Sequence, residues 1–197
     1  MNKDKIKVLL ISSAIFAALL AALLLNFENS KIITAIILVP LAALTFFAIK
    51  KRSALSINKR EVLLLVAVMA CMYVVLKEMS GAYFGFYKNP YFVNTDRLIN
   101  VIIPTLFIII ATEVIRYVIL AQKIKLANVI LYLSCVLADT LIYSNIAGIV
   151  NFNRFMDFVG LTLFPAISAN VFYHYVSKRY GMLPNVVFKV ITVLYNK

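Results

Sequence analysis

The run "ATEVIRYVIL", Ala111 to Leu120, sets a glutamate and an arginine three residues apart inside an apolar segment from about residue 99 to about 121. Such a segment reads as a membrane-crossing helix, because ~20 apolar residues rising 1.5 Å each cover a hydrocarbon core of about 30 Å. Inside that core an ionised side chain costs about 2.5–3.5 kcal/mol on the insertion scale. The i,i+3 spacing puts Glu113 and Arg116 on one helix face. A local ion pair turned toward a bundle interior is the simplest account. Proton or ion handling is the second reading, since intramembrane carboxylates often mark pathways.

Composition extends the membrane reading to the whole chain. Of 197 residues 63% are hydrophobic and 14% charged, well above the apolar share of about 45–50% in soluble domains. Five further apolar segments fall at about 8–26, 32–49, 62–80, 126–149 and 158–176. In lipid these must be helices, because every backbone polar group needs an internal partner. The expected fold class is therefore all-α: a polytopic membrane protein, a bundle of six transmembrane helices with a C-terminal amphipathic helix. The first segment follows Lys3, Lys5 and Lys7, but "LLLNFENSK" lacks a small-x-small cleavage pattern, so it reads as an uncleaved anchor.

Basic residues set the orientation. Lys3, Lys5 and Lys7, then Lys50, Lys51, Arg52, Lys59 and Arg60, then Lys123 and Lys125, then Lys178, Arg179, Lys189 and Lys197 fall on one side of six crossings. Only Lys31, Lys77, Lys88, Arg97 and Arg154 fall on the other. The positive-inside rule then predicts a multi-pass protein of the cell membrane with both termini cytoplasmic. The net charge of +12 is matched to anionic inner-leaflet lipid, so the bilayer is the expected partner and no nucleic acid is needed.

Two domains are expected: a six-helix membrane domain over 1–181, and residues 182–197 as an interfacial amphipathic helix or the start of a further span. In that tail Asn185, Lys189, Thr192 and Asn196 recur at spacings of four, three and four, which gathers them on one face. Asp139, near the middle of the fifth span, has no basic neighbour on its own helix. With Arg116 estimated ~12 Å away along the bilayer normal, the expectation is a neutral Asp139 hydrogen-bonded across the bundle. Ser134, Cys135 and Thr140 are nearby residues able to bridge helices, and a polar cavity that includes Asp139 is the second reading. Pro40, Pro104, Pro165 and Asn170 also lie inside spans. His174, between Tyr173 and Tyr175, reads as an interfacial ring. No metal site and no cofactor are expected, since one histidine and two isolated cysteines, Cys71 and Cys135, form no ligand spacing.

The loop after the third span, "GAYFGFYKNPYFVNTDR", crowds aromatics around glycine and proline. Gly81, Tyr83, Phe84, Gly85, Phe86, Tyr87, Pro90 and Tyr91 read either as an interfacial aromatic belt or as an outer docking loop. "SGAYFGFYKNPY", "EVIRYVIL" and "YGMLPNVVFKVI" together resemble the multi-spanning amino-terminal membrane region of Firmicutes-type signal peptidase I proteins, over about residues 60–195. Tyr175, Tyr180, Gly181, Pro184 and Asn185 match that family's closing segment. The resemblance implies a membrane scaffold or anchor serving an extracytoplasmic peptidase domain.

The family's serine nucleophile, followed by methionine, and its lysine base are not matched: the chain has no Ser-Met dipeptide. Lys77 and Ser80 are the one suggestive pair, with snorkelling the ordinary role for such a lysine. The alternative function is a small-molecule transporter component of the energy-coupling-factor substrate-binding type, with partner subunits docking on Ala14, Ala18 and Ala22.

Overall fold

The computed structural model describes residues 3–24, 30–49, 59–84, 95, 98–143 and 151–195. Over these residues the chain is an all-α bundle of seven helices. They are α1 (Lys3–Leu24), α2 (Ser30–Ala48), α3 (Lys59–Phe84), α4 (Leu98–Leu120), α5 (Lys125–Tyr143), α6 (Phe152–Tyr180) and α7 (Leu183–Tyr195). The first six are long and apolar enough to cross a membrane, as a multi-pass protein requires. Helix α6 extends beyond the expected span at both ends, and its first turns carry "FNRFMD", Phe152 to Asp157, with the polar residues Asn153, Arg154 and Asp157 among them.

Helix α4 is the spine of the bundle. Ile108, Ile109, Ile115 and Ile119 are fully enclosed, in a core that also holds Ile15 and Leu19 of α1, Leu38 of α2, and Leu131 and Ile142 of α5. The outward surface is as apolar as the inside: Phe47, Leu64, Leu65, Met72 and Leu161 are all exposed. That inversion suits lipid, where an apolar side chain loses nothing by facing outward. Hydroxyls enter the core by closing on their own helix. Ser12 donates to Val8 O at 2.8 Å, Thr112 to Ile108 O at 2.8 Å, and Ser134 to Ile130 O at 2.9 Å. Thr140 likewise donates to Leu137 O at 2.7 Å, so these bonds of Ser134 and Thr140 serve α5 itself rather than bridging helices.

Pro104 and Pro165 each follow a stretch of π-helix, Leu98–Ile102 in α4 and Val159–Leu163 in α6. Proline has no N–H for the carbonyl four residues earlier, and a widened turn passes that carbonyl to the next donor. In α6 the wide register is explicit, with Phe164 N–H donating to Val159 O.

The α6–α7 connection fixes the seventh helix. Gly181 ends α6 at φ 87° and ψ −170°, a conformation essentially reserved for glycine, and its N–H donates to Ser177 O at 3.2 Å. The chain reverses there and α7 returns along α6, with Pro184 in its first turn. Tyr73 shares a cleft with Lys189 and Thr192, while Glu78 accepts a hydrogen bond from Tyr195, so α7 and α3 run in the same direction. Helix α3 rests mainly on α7.

This placement corrects the interfacial reading of the tail. Asn185, Lys189 and Thr192 do form one face, but they are buried at 1%, 3% and 6% exposure. The polar stripe points into the bundle. Asn196 lies outside the described residues.

Candidate functional site: a buried four-charge network

Four helices converge on two carboxylates and two cations. Helix α4 brings Glu113 and Arg116, one turn apart, with Arg116 Nη1 2.8 Å from Glu113 Oε1. Both side chains are wholly buried. Helix α5 supplies Asp139, and α7 supplies Lys189, whose Nζ lies 2.9 Å from Asp139 Oδ1 and 3.1 Å from Oδ2. The same ammonium is 3.2 Å from Glu113 Oε1. Lys189 thus bridges the two carboxylates. With all four groups ionised the network carries no net charge, the condition under which buried charges are tolerated.

Helix α6 contributes the polar framework. Asn170 accepts a hydrogen bond from Arg116 Nη2 on its Oδ1 and donates from Nδ2 to Asp139 Oδ2 at 2.7 Å and to Ala166 O at 2.8 Å. Its amide fills the gap between Arg116 and Asp139 and so spans the difference in depth. Ser177 donates to Glu113 Oε2 at 3.4 Å. Asn185 of α7 donates to the same oxygen at 3.0 Å and to Tyr173 O at 2.8 Å. The Tyr173 ring faces both cations, 5.4 Å from Arg116 Cζ and 4.5 Å from Lys189 Nζ, close enough for cation–π attraction.

Asp139 is the corrected residue. Expected as a neutral carboxyl hydrogen-bonded across the bundle, it does accept hydrogen bonds across it, but one donor is an ammonium from 50 residues away in the chain. Sequence reasoning also passed over Lys189, Asn185, Ser177 and Tyr173 as members of the network. The available signal was the 185–189–192 spacing, which identified the polar face but not its direction.

Beside the network lies a cleft of about 330 Å³ between α3, α6 and α7. Asp139, Lys189, Tyr173 and Thr192 line one part, and Leu161, Pro165, Ala166, Ala169 and Phe188 give it apolar walls.

The remaining sequence candidates fall elsewhere. Gly81 lies within α3, which continues through Tyr83 to Phe84 instead of breaking at the glycine, and Tyr83 is 86% exposed. Gly85, Phe86, Tyr87, Pro90 and Tyr91 lie outside the described residues. Ser80 donates to Leu76 O at 2.8 Å, and Lys77 Nζ lies 5.9 Å from the centre of the Tyr73 ring. The serine proton is therefore directed at its own helix. Of the alanine stripe, Ala14 is exposed, Ala18 half-buried and Ala22 buried in the core. The stripe is not one open docking face. His174 packs edge-on to Tyr132 with ring centres 5.4 Å apart. Among the described residues no three His, Cys, Asp or Glu side chains converge as metal ligands.

No family model, curated protein or solved structure matches this chain.

Proposed function

We propose that the protein is an integral membrane scaffold, an anchor that holds and orients an extracytoplasmic peptidase domain and contributes no Ser/Lys dyad of its own. The observation that carries this reading is the closed four-charge network. Each carboxylate has donors from at least two helices, and each cation has at least two fixed partners. Moving a proton or an ion through it means breaking several charge-assisted hydrogen bonds at once. Holding α4, α5, α6 and α7 in one arrangement needs only that they stay made. The resemblance of "SGAYFGFYKNPY", "EVIRYVIL" and "YGMLPNVVFKVI" to the signal peptidase I membrane region supports the same reading. With the amino terminus taken as cytoplasmic by the positive-inside rule, the C-terminal end of α3, with exposed Tyr83, faces the outer side where the partner docks. Helix α7 runs in the same direction, so its Tyr195 end points toward that side instead of the expected cytoplasmic one.

Site-specific photo-cross-linking in native membranes tests this. A cross-linker at Tyr83 is expected to trap a polypeptide carrying a Ser-Met nucleophile segment and a downstream lysine. A cross-linker at Ala14 that instead traps an ATP-binding-cassette transporter subunit, with nothing trapped at Tyr83, would replace the scaffold reading with the transport one.

A further inference from the structure

The cleft beside Asp139 and Lys189 plays no part in the scaffold reading, and its construction is that of a ligand site. Its volume of about 330 Å³ falls within the roughly 300–1,000 Å³ of small-molecule pockets. Its lining combines the charged pair Asp139 and Lys189 with apolar walls, the mixture that fixes a ligand's head and accepts its body. The rim includes Leu161, 78% exposed on the outer surface of α6, and lies on the π-helical segment that precedes Pro165. Wide turns of this kind recur at functional sites. A lipid-facing rim admits ligands dissolved in the bilayer.

We propose that this cleft binds a neutral long-chain amphiphile, whose uncharged hydrogen-bonding head, a hydroxyl or carboxamide, meets Asp139 and Lys189 while its chain lies along α6.

Charge balance decides the class of head. Two carboxylates and two cations already compensate one another, so a fatty carboxylate or an alkylammonium would bring an uncompensated charge into a buried site. A neutral head meets no such penalty. It also finds hydrogen-bonding capacity. The ammonium of Lys189 has three protons, and its partners among the described residues are the two carboxylates, with the Tyr173 ring opposite. Asp139 Oδ1 accepts from Lys189 and retains a second lone pair. A hydroxyl or amide both donates and accepts, so one head satisfies both groups. The chain then runs over Ala166 and Ala169, whose small side chains leave the groove open beside Phe188.

The test uses the full chain in phosphatidylcholine nanodiscs with a diazirine-bearing hexadecanol as photoprobe. Saturable labelling is expected on the α6 and α7 segments that line the cleft. Hexadecanol and hexadecanamide are expected to compete at least about tenfold better than palmitate or hexadecyltrimethylammonium, the discrimination that charge burial produces. Ala169→Phe fills the groove without touching the charges and should abolish saturable labelling at an unchanged melting temperature. If that variant does not fold, Thr162→Leu, at another residue that lines the cleft, provides the same readout. Mass spectrometry of lipid co-purified from native membranes identifies the source. A neutral glycerolipid retained at one per chain makes the occupant a bilayer lipid, and none retained makes it a free alcohol or amide; either accompanies the proposal. Labelling that does not saturate, that spreads over the exposed faces of α2 and α3, that charged amphiphiles suppress equally, or that persists in the groove-filling variants overturns it.

Discussion

Replacing Lys189 with methionine is the sharpest perturbation of the network. Methionine keeps the unbranched length of the side chain, so the packing around Tyr173 changes little, but the charge disappears. What remains is two carboxylates against one guanidinium, with Asp139 deprived of an ammonium that stood 2.9 Å away and Glu113 of one at 3.2 Å. Removing one partner of a buried pair costs about 3–5 kcal/mol. At about 2–4 °C per kcal/mol for a chain of this size, the melting temperature should fall by roughly 6–20 °C. Thermal unfolding in nanodiscs at neutral pH measures it. Adding Asp139→Asn then restores the charge balance, and the new amide still offers an oxygen to Asn170. The double variant should recover about 1–3 kcal/mol relative to Lys189→Met alone, the coupling expected of groups in direct contact. A single variant within about 0.5 kcal/mol of the parent, or a double variant no more stable than the single, would refute the bridging role of Lys189.

Three further substitutions probe the rest of the framework. Asn170→Leu removes the amide between Arg116 and Asp139 and should cost about 1–3 kcal/mol by the same assay; an unchanged melting temperature contradicts the relay. Arg116→Lys keeps the charge but loses the planar fork that serves Glu113 and Asn170 together, so a loss of about 1–3 kcal/mol is expected, and full stability would show that charge alone suffices. Gly181→Ala has room, the nearest atom to an added Cβ being 3.9 Å away on Tyr117. The backbone conformation should nonetheless cost about 1–3 kcal/mol, and a neutral result would mean that the turn relaxes.

How much of this was legible in the sequence depends on the range over which each feature acts. The six apolar helices follow from length and composition, which are local. The Glu113–Arg116 pair follows from i,i+3 geometry on one helix. The partner of Asp139 does not, because Lys189 belongs to a helix whose docking depends on the turn at Gly181 and on the packing of α3. Periodicity gathered Asn185, Lys189 and Thr192 on a face, yet the habit of reading polar faces as water-facing fails where the solvent is lipid. There the polar side seeks the interior, and Asn185 and Lys189 find Glu113 and Asp139. Asn170 was visible only as a polar residue in a span, since an amide that links two charges is defined by both of them and neither is on its own helix.

The dependence of α3 on α7 has a consequence for synthesis on the ribosome. Phe84 ends α3 roughly a hundred residues before Leu183 begins the helix it leans on, which at about 5–20 residues per second is an interval of roughly 5–20 s. A nascent α3 must spend that interval in the bilayer without its permanent neighbour. Its surface is built for the wait: Leu64, Leu65, Val68, Met72 and Leu76 already face lipid in the finished protein, and the later contact covers a narrow strip that includes Val66 and Ala70. Helix α7 is translated after every helix it packs against, and its arrival completes that contact.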